Sequence, residues 1–436
     1  MNQACLPILR HPGFSDRFER LDAWLQKAGA SQPFQWCSVT ELNSTSQPVL
    51  LPLHCGGFYQ FEKEEWLRER LGSLPMEIRD SLASGKLVLL LDGSGEGISP
   101  FRRRLENIEQ TLVKFRIKRA PIYLTSAIDG AVSYRRGCYR ETMTPILHVI
   151  YFPIQFFQII AGFLQNQEAQ SIVDNLLSCR KAVPKDEKIF LSFNYMPRWW
   201  RYALMVHLYE NNWLGRGHIS FFGEHIAENW KKDTELDESR IAQILRNHGV
   251  GVNPEQSVRA VNALAPMTLD VGTEADRFNI AYQPEALHLY QETFFSVVTE
   301  SDFAAHTGVR FSEKSVKPLV MGHPMLLIGT AGVVNALERL GYRLSGGLFK
   351  HEYDEIGSDA VRLRMALREL ERVLRLNRYQ FQKAWEAELD LIDHNIRFSR
   401  EAVSKNRLHA SFLGQIGEAL RGTQTLPRAL GKSKFQ

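Results

Sequence analysis

The run 86–92 (KLVLLLD), closed by Gly85 and Gly93, limits the fold more than any other stretch. It is apolar at five positions in a row between its charged ends, so no face is left for water. Such a run suits a strand buried on both sides, as in a parallel sheet covered by helices. A basic helical stretch follows at 101–119. Runs 120–125 (APIYLT) and 147–152 continue a β-α-β rhythm. The first 85 residues show no clear period.

From 188 onward the alternation is clearer. Strands are expected at 189–193, 219–222, 293–299 (TFFSVVT) and 325–328. Helices are expected at 197–210, 313–321 and 332–340, the last closed by Gly341. Residues 223–290 are polar and mixed and read as inserted helices. Strands alternating with helices imply a doubly wound parallel sheet. The stretch 358–421 carries no strand signal. Its apolar residues, such as Met365, Leu367, Leu370, Val373 and Leu374, recur at helical spacing and predict two helices or one long bent helix.

The expected organisation is therefore a Rossmann-like domain over 1–185 and a second over 186–357. A helical extension over 358–421 and a frayed basic tail over 422–436 follow. The proline-bearing 183–188 (VPKDEK) reads as the linker.

Charge and cysteine content exclude several classes. Lys and Arg number 53 against 49 Asp and Glu, a net charge of +4, which does not mark an obligate nucleic-acid binder. The five cysteines are scattered without a CxxC, so neither a disulfide framework nor a structural zinc site is indicated. The first ten residues lack the layout of a signal peptide. The uncharged 142–165 has the length of a membrane span, but His148, Pro153, Gln155, Gln158 and Gln165 interrupt it. It reads as a buried strand followed by an apolar helix, and a cytoplasmic location is expected. The basic residues Arg102, Arg103, Arg104, Lys114, Arg116, Lys118 and Arg119 form either a solvated helix face or a contact with an anionic membrane face or acidic glycan.

Doubly wound sheets bind ligands beyond the carboxyl ends of their strands, so residues just after each strand weigh most. Two clusters stand out. The first, FNYMPRWWR, spans 193–201 at a strand-to-helix turn. Pro197 suits the first position of a helix, and free helix-start N–H groups with Arg198 and Arg201 would favour a phosphate. A helix start with surface arginines and a packed Trp199–Trp200 pair is the plainer alternative. The second, FSEKSVKP, spans 311–318. Ser312 is an N-cap candidate, and Glu313 is an acid that suits the helix start. At a cleft, such a carboxylate can take both ribose hydroxyls while the neighbouring ammonium takes a diphosphate.

Together these runs carry a family likeness. NYMPRWWRYALMVHLYENNWLGRGHISF resembles the strand-helix-strand that opens the C-terminal domain of bacterial GT-B-type glycosyltransferase-like proteins. FSEKSVKPLVMGHPMLLIGTAGVVNALERLGYRL resembles their later T/S-E-K-x-x-K-P segment. It is more distantly similar to the S/T-E-K segment of α-1,3-fucosyltransferases. The likeness covers about 190–365. It implies a GT-B-like fold of two Rossmann-like domains facing a cleft. It further implies a nucleotide-sugar donor site made by Asn194, Arg198, Arg201, Glu300, Glu313, Lys314 and Lys317. In it Glu313 takes the ribose, Lys314 the diphosphate, and one of Arg198 or Arg201 the phosphates. Tyr195 and Met196 stand where the family carries a basic pair.

Glycosyl transfer of that kind needs positive charge at the leaving diphosphate and a carboxylate to deprotonate the acceptor hydroxyl. Asp92 and Glu96, in the glycine-rich DGSGEG turn after the 86–92 strand, have the right type and location for the base. No metal is implied and no cofactor beyond the donor, for which the fucosyltransferase likeness favours a GDP-sugar. The expected acceptor is a bacterial surface glycan, a lipid-linked sugar or a glycoprotein, with peripheral contact at the inner membrane. The alternative is a non-catalytic scaffold that binds a nucleotide sugar or glycan.

Overall fold

A computed structural model describes residues 6–12, 14–27, 34–54, 65–94, 102–140, 146–179, 188–225, 237–269, 284–304, 308–404 and 407–422. The chain forms two compact units. One holds residues 1–161 with 401–436, the other residues 162–400.

The first unit is built on a six-stranded sheet of β1 (Leu6–Leu9), β2 (Phe34–Cys37), β3 (Val49–His54), β4 (Leu87–Gly93), β5 (Ile122–Thr125) and β6 (His148–Tyr151). Every pairing is parallel, in the order β2-β1-β3-β4-β5-β6. As its apolar run requires, β4 is buried along its whole length. Helices α1 (Asp16–Lys27), α2 (Trp66–Gly72), α3 (Met76–Ser84), α4 (Arg102–Lys114), α5 (Gly130–Arg140) and α6 (Ile154–Gln165) connect or follow the strands. The strand and apolar helix expected within 142–165 are β6 and α6. No described helix is long and apolar enough to cross a membrane.

Gly93 ends β4 for a steric reason. A Cβ there would sit 2.4 Å from the Tyr123 hydroxyl and 3.1 Å from the Leu124 carbonyl. Among the described residues, three strands and three α-helices occupy the first 85 positions, where the sequence shows no period. Pro7 and Pro52 hide two of the strands. Proline cannot donate to a ladder and ordinarily argues against a central strand, yet Pro52 lies in β3 between β1 and β4.

The second unit carries β7 (Phe190–Asn194), β8 (Gly217–Phe221), β9 (Phe295–Thr299) and β10 (Met325–Ile328), all parallel in the order β10-β9-β7-β8. Its helices are α7 (Gln167–Cys179), α8 (Trp199–Glu210), α9 (Glu238–Asn247), α10 (Pro254–Leu264), α11 (Pro284–Glu292), α12 (Glu313–Val320), α13 (Val333–Leu340), α14 (Asp359–Leu374), α15 (Arg378–Glu386) and α16 (Leu389–Ser404). The inserted helices expected over 223–290 are α9 to α11.

Two expectations of organisation need correction. The stretch 358–421 holds four helices rather than one or two: α14, α15, α16 and α17 (Arg407–Gly422). Asn377 starts α15 through a capping box with Gln380, which interrupts the apolar period. Nor is this stretch an appendage of its own. α14 packs on β10 and α8, whereas α17 packs on β5 and β6 of the first unit. There Phe412 meets Tyr151, Phe152 and Phe157 at ring-centroid distances of 5.4, 6.5 and 5.8 Å. The unit division also precedes the 183–188 stretch, because α7 packs on α11 and its Asp174 pairs with Arg400 at 2.7 Å. The proposed linker residues 183–187 and the tail from 423 lie outside the described residues.

Candidate functional site

In the second sheet the chain steps from β7 to β8 on one side and to β9 on the other. The carboxyl ends of β7 and β9 therefore flank the topological switch point, where such sheets bind ligands. The residues singled out in 193–201 and 311–318 gather at this edge, on the starts of α8 and α12 and the ends of β7 and β9.

A buried polar network sets the spacing of the edge. Asn194, fully buried at the end of β7, donates to Ser192 Oγ at 2.9 Å and accepts from Thr299 Oγ1 at 2.6 Å. Its backbone N–H donates to Ser220 Oγ on β8. Arg201, 2% exposed, donates to Thr299 Oγ1 at 3.1 Å and to the Met196 carbonyl at 2.7 Å. Burial draws its guanidinium down to about 10, with nearby Arg198 acting in the same direction against Glu313, Glu300 and Asp302. Asn194 and Arg201 thus tie β7, β8, β9 and the β7–α8 turn together, and these bonds face inward.

Glu300 is likewise internal. It is fully buried just past β9 and accepts from Ser312 N–H at 3.0 Å, Ser312 Oγ at 2.6 Å, Ser301 N–H at 3.1 Å and the Ser315 hydroxyl. Its carbonyl accepts from Trp200 Nε1. The carboxylate anchors the first turn of α12, where Ser312 Oγ accepts from Lys314 N–H as an N-cap should. The Trp199–Trp200 pair is packed, as the plainer reading held. Trp200 stacks on Phe303 at 5.9 Å, and Arg362 covers the same ring at 4.5 Å.

The charged groups that remain are Arg198, Glu313, Lys314 and Lys317. Arg198 is half-buried at the N-cap of α8, where its carbonyl accepts from Arg201 and Tyr202 N–H, and its side chain makes no hydrogen bond or ion pair among the described residues. Glu313 pairs with Lys314, whose Nζ also reaches Ser301 Oγ at 3.3 Å. Burial alone would raise the Glu313 carboxyl, but Lys314 and Lys317 outweigh it and hold it at about 2. Lys317 is 9% exposed, and burial draws its ammonium down to about 8 against the pull of Glu313. The edge therefore presents three cationic side chains and one firmly ionised carboxylate.

The start of α13, after Gly332, is already filled. Asp354 accepts from Val334 and Asn335 N–H, both at 3.0 Å, at the first turn of α13. His323 is a satisfied core histidine between Ser296 Oγ at 3.0 Å and the Tyr290 carbonyl at 2.7 Å.

In the first unit, Asp92 is fully buried at the end of β4 and Ser94 N–H and Oγ both donate to its Oδ1. Its Oδ2 lies 3.1 Å from Arg17 Nη1 and 3.4 Å from His54 Nδ1. Burial would raise this carboxyl, yet the Arg17 guanidinium beside it holds it at about 2. Glu96 lies outside the described residues. The reading of single residues missed Arg17. The register that sets His54 beside Asp92 across β3 and β4 depends on a strand hidden by Pro52. Among the described residues no cluster of three or more His, Cys, Asp or Glu could hold a metal ion.

No family model and no curated protein sequence matches the chain. Among solved structures it resembles an α,α-trehalose 6-phosphate synthase from Burkholderia multivorans, with a TM-score of 0.39 and 12% identity over 92% of this chain and 78% of that one. It also resembles an α,α-trehalose-phosphate synthase (UDP-forming) from Burkholderia vietnamiensis, at 0.42 and 13% over 94% and 88%. A UDP-forming enzyme of the same kind from Burkholderia xenovorans gives 0.43 and 13% over 94% and 85%. Likeness of this degree says nothing of substrate or site.

Proposed function

We propose that the chain is a GT-B-like glycosyltransferase that moves a sugar from a nucleotide-sugar donor to a glycan, lipid-linked or protein acceptor of a bacterial surface. The observation that carries the reading is the set of Arg198, Glu313, Lys314 and Lys317 at the switch point of the second sheet. Glu313, ionised and at the start of α12, takes the ribose hydroxyls. Lys314, Lys317 and Arg198 neutralise the diphosphate as the bond from the anomeric carbon to its oxygen breaks, without a metal. Of the two arginines, Arg198 is the phosphate contact, because the hydrogen bonds of Arg201 run to Thr299 and Met196. Asn194, Arg201 and Glu300 position this surface.

The acceptor hydroxyl must lose its proton as its oxygen bonds to the anomeric carbon. Asp92, held at about 2 by Arg17, is a poor proton acceptor near neutral pH. Glu96 is therefore the proposed base. The proposed setting is the cytoplasmic side of the inner membrane, with peripheral contact through the basic 102–119 stretch.

The test is a thermal-shift screen with UDP, GDP, CMP, TDP and ADP, a GDP-sugar being the favoured donor. A nucleotide at about a hundred times its Kd adds about 2.7 kcal/mol to stability. Wild type should respond to one nucleotide, and Lys314→Ala and Arg198→Ala should not. Arg201→Ala should melt lower even without ligand. Glu96→Gln should keep the nucleotide response and lose transfer. If no nucleotide stabilises wild type, the donor site does not exist. A response to nucleotide with no transfer to any acceptor, from wild type as from Glu96→Gln, favours the scaffold reading, for which the absent basic pair at Tyr195 and Met196 argues.

A further inference from the structure

The first unit has a switch point of its own. β1 is followed by β2 on one side and β3 on the other, so the carboxyl ends of β1 and β3 flank the place where this sheet would receive a ligand. Three side chains from three elements meet there. Arg17 comes from the first turn of α1, directly after β1. His54 is the last residue of β3, and Asp92 stands beside it on β4. The arginine and the carboxylate are buried or nearly so, at 11% and 0% side-chain exposure, whereas His54 is 43% exposed. The buried pair thus holds a histidine whose ring reaches solvent.

The contacts fix the state of that ring. Arg17 Nη1 lies 2.9 Å from His54 Nδ1 in hydrogen-bonding geometry. A guanidinium has donors and no acceptor. Nδ1 is therefore the acceptor, and the ring hydrogen of the neutral imidazole sits on Nε2. The carboxylate is farther away, with Oδ2 at 3.4 Å from Nδ1, and this oxygen makes no ordinary hydrogen bond. Asp92 orients and neutralises Arg17, and Arg17 rather than Asp92 engages the ring. In this arrangement neither imidazole nitrogen offers a lone pair to a ligand. Among the described residues Nε2–H has no partner and is left as a donor, and the charges behind it, one guanidinium and one carboxylate, cancel.

We infer that Arg17, His54 and Asp92 form a recognition site in which the Nε2–H of neutral His54 donates a hydrogen bond to an uncharged sugar hydroxyl. The ligand class rests on the proposed glycosyl transfer, with this unit as the acceptor side. The ring state does not. Within that reaction His54 selects and orients the acceptor, and it does not take the proton. A charge-balanced site with one outward neutral donor suits a polyol better than a phosphate, which calls for unpaired positive charge.

Nitrogen-15 NMR of the histidine-labelled full chain tests both halves without a donor nucleotide. His54→Gln, at this half-exposed position, assigns the signals by their loss. In wild type at pH 8, Nδ1 should give the shift of a bare nitrogen and Nε2 that of a protonated one. The opposite assignment would show the ring held by Asp92 with Nε2 free to accept a proton, and would overturn the inference in favour of a histidine base. Methyl glycosides of common hexoses at millimolar concentration should move the Nε2–H signal, and inorganic phosphate should not. A response to phosphate alone makes the site an anion site and overturns its ligand class. A response to neither removes its binding role. Failure of the nucleotide screen would overturn the donor site of the second unit while leaving the His54 tautomer readable.

Discussion

Single residues divide into those that hold the two edges and those left to meet a ligand. That division was only half legible. Residue type marked Arg198 and Arg201 as equals, but only the fold shows that Arg201 lies inside, bonded to Thr299, while the Arg198 guanidinium has no partner among the described residues. Glu300 was marked for a donor, and three of its carboxylate's hydrogen bonds, from Ser312 and Ser315, anchor α12. Buried titratable groups also set how the protein answers acid. The His351 ring, in the second unit, is drawn by burial from 6.5 to about 4, and its Nδ1 bonds to the Tyr353 hydroxyl. The unfolded chain binds this proton first, so the contribution is complete above 6.5 and is lost as pH falls toward 4. The full loss is about 3 kcal/mol. Melts between pH 7 and 4 should show His351→Gln losing less stability than wild type over that window. Asp92, in the first unit, acts lower. Depressed from 3.8 to about 2, it stabilises fully above 3.8 and stops as pH approaches 2. Equal pH slopes for wild type and His351→Gln between 6.5 and 4 would refute the assignment.

At the scale of elements, sequence legibility follows how strongly an element marks itself. β4, β5, β9, β10, α12 and α13 lie within about two residues of where their apolar runs and caps place them. Ser312 at the start of α12 and Gly341 at the end of α13 do what their residue types suggest. β1 and β3 carry Pro7 and Pro52, so local chemistry argues against strands that the sheet nevertheless enforces. The Arg17–His54 contact, 37 residues apart and dependent on both strands, left no local trace. Two substitutions test the element ends. Gly93→Ala drives a methyl group into the Tyr123 hydroxyl, and Gly341→Ala, at a φ of +116°, drives one to 2.6 Å from Phe398. Each should cost about 1 to 3 kcal/mol in denaturant titrations, the first by loosening the turn that carries Asp92. Glu300→Gln should weaken the nucleotide response and stability together, because the start of α12 loses its anchor. If it leaves both unchanged, the anchoring role of Glu300 is wrong.

Over the whole molecule, the alternation of strand and helix announced two α/β units, and what it could not announce was which unit each later helix joins. α17 shares the helical spacing of α14 to α16, yet Phe412, Leu413, Ile416 and Leu420 are buried and the helix packs on β5 and β6. Those four side chains together amount to about 6 to 12 kcal/mol of apolar burial, as much as the entire stability of many domains. Removing 407–422 should therefore unfold the first unit and spare the second, so that calorimetry loses one transition and nucleotide stabilisation of the other survives. Loss of both transitions together would contradict two separately stable units. The same arrangement sets a clock on synthesis. Residues 1–161 leave the ribosome first, but the helix that covers their sheet is about 250 residues behind. At translation rates of roughly 5 to 20 residues per second, the β5–β6 face waits on the order of ten to fifty seconds for its cover. The half that is made first is the half that is finished last, and it is in that interval that the nascent chain most needs a chaperone.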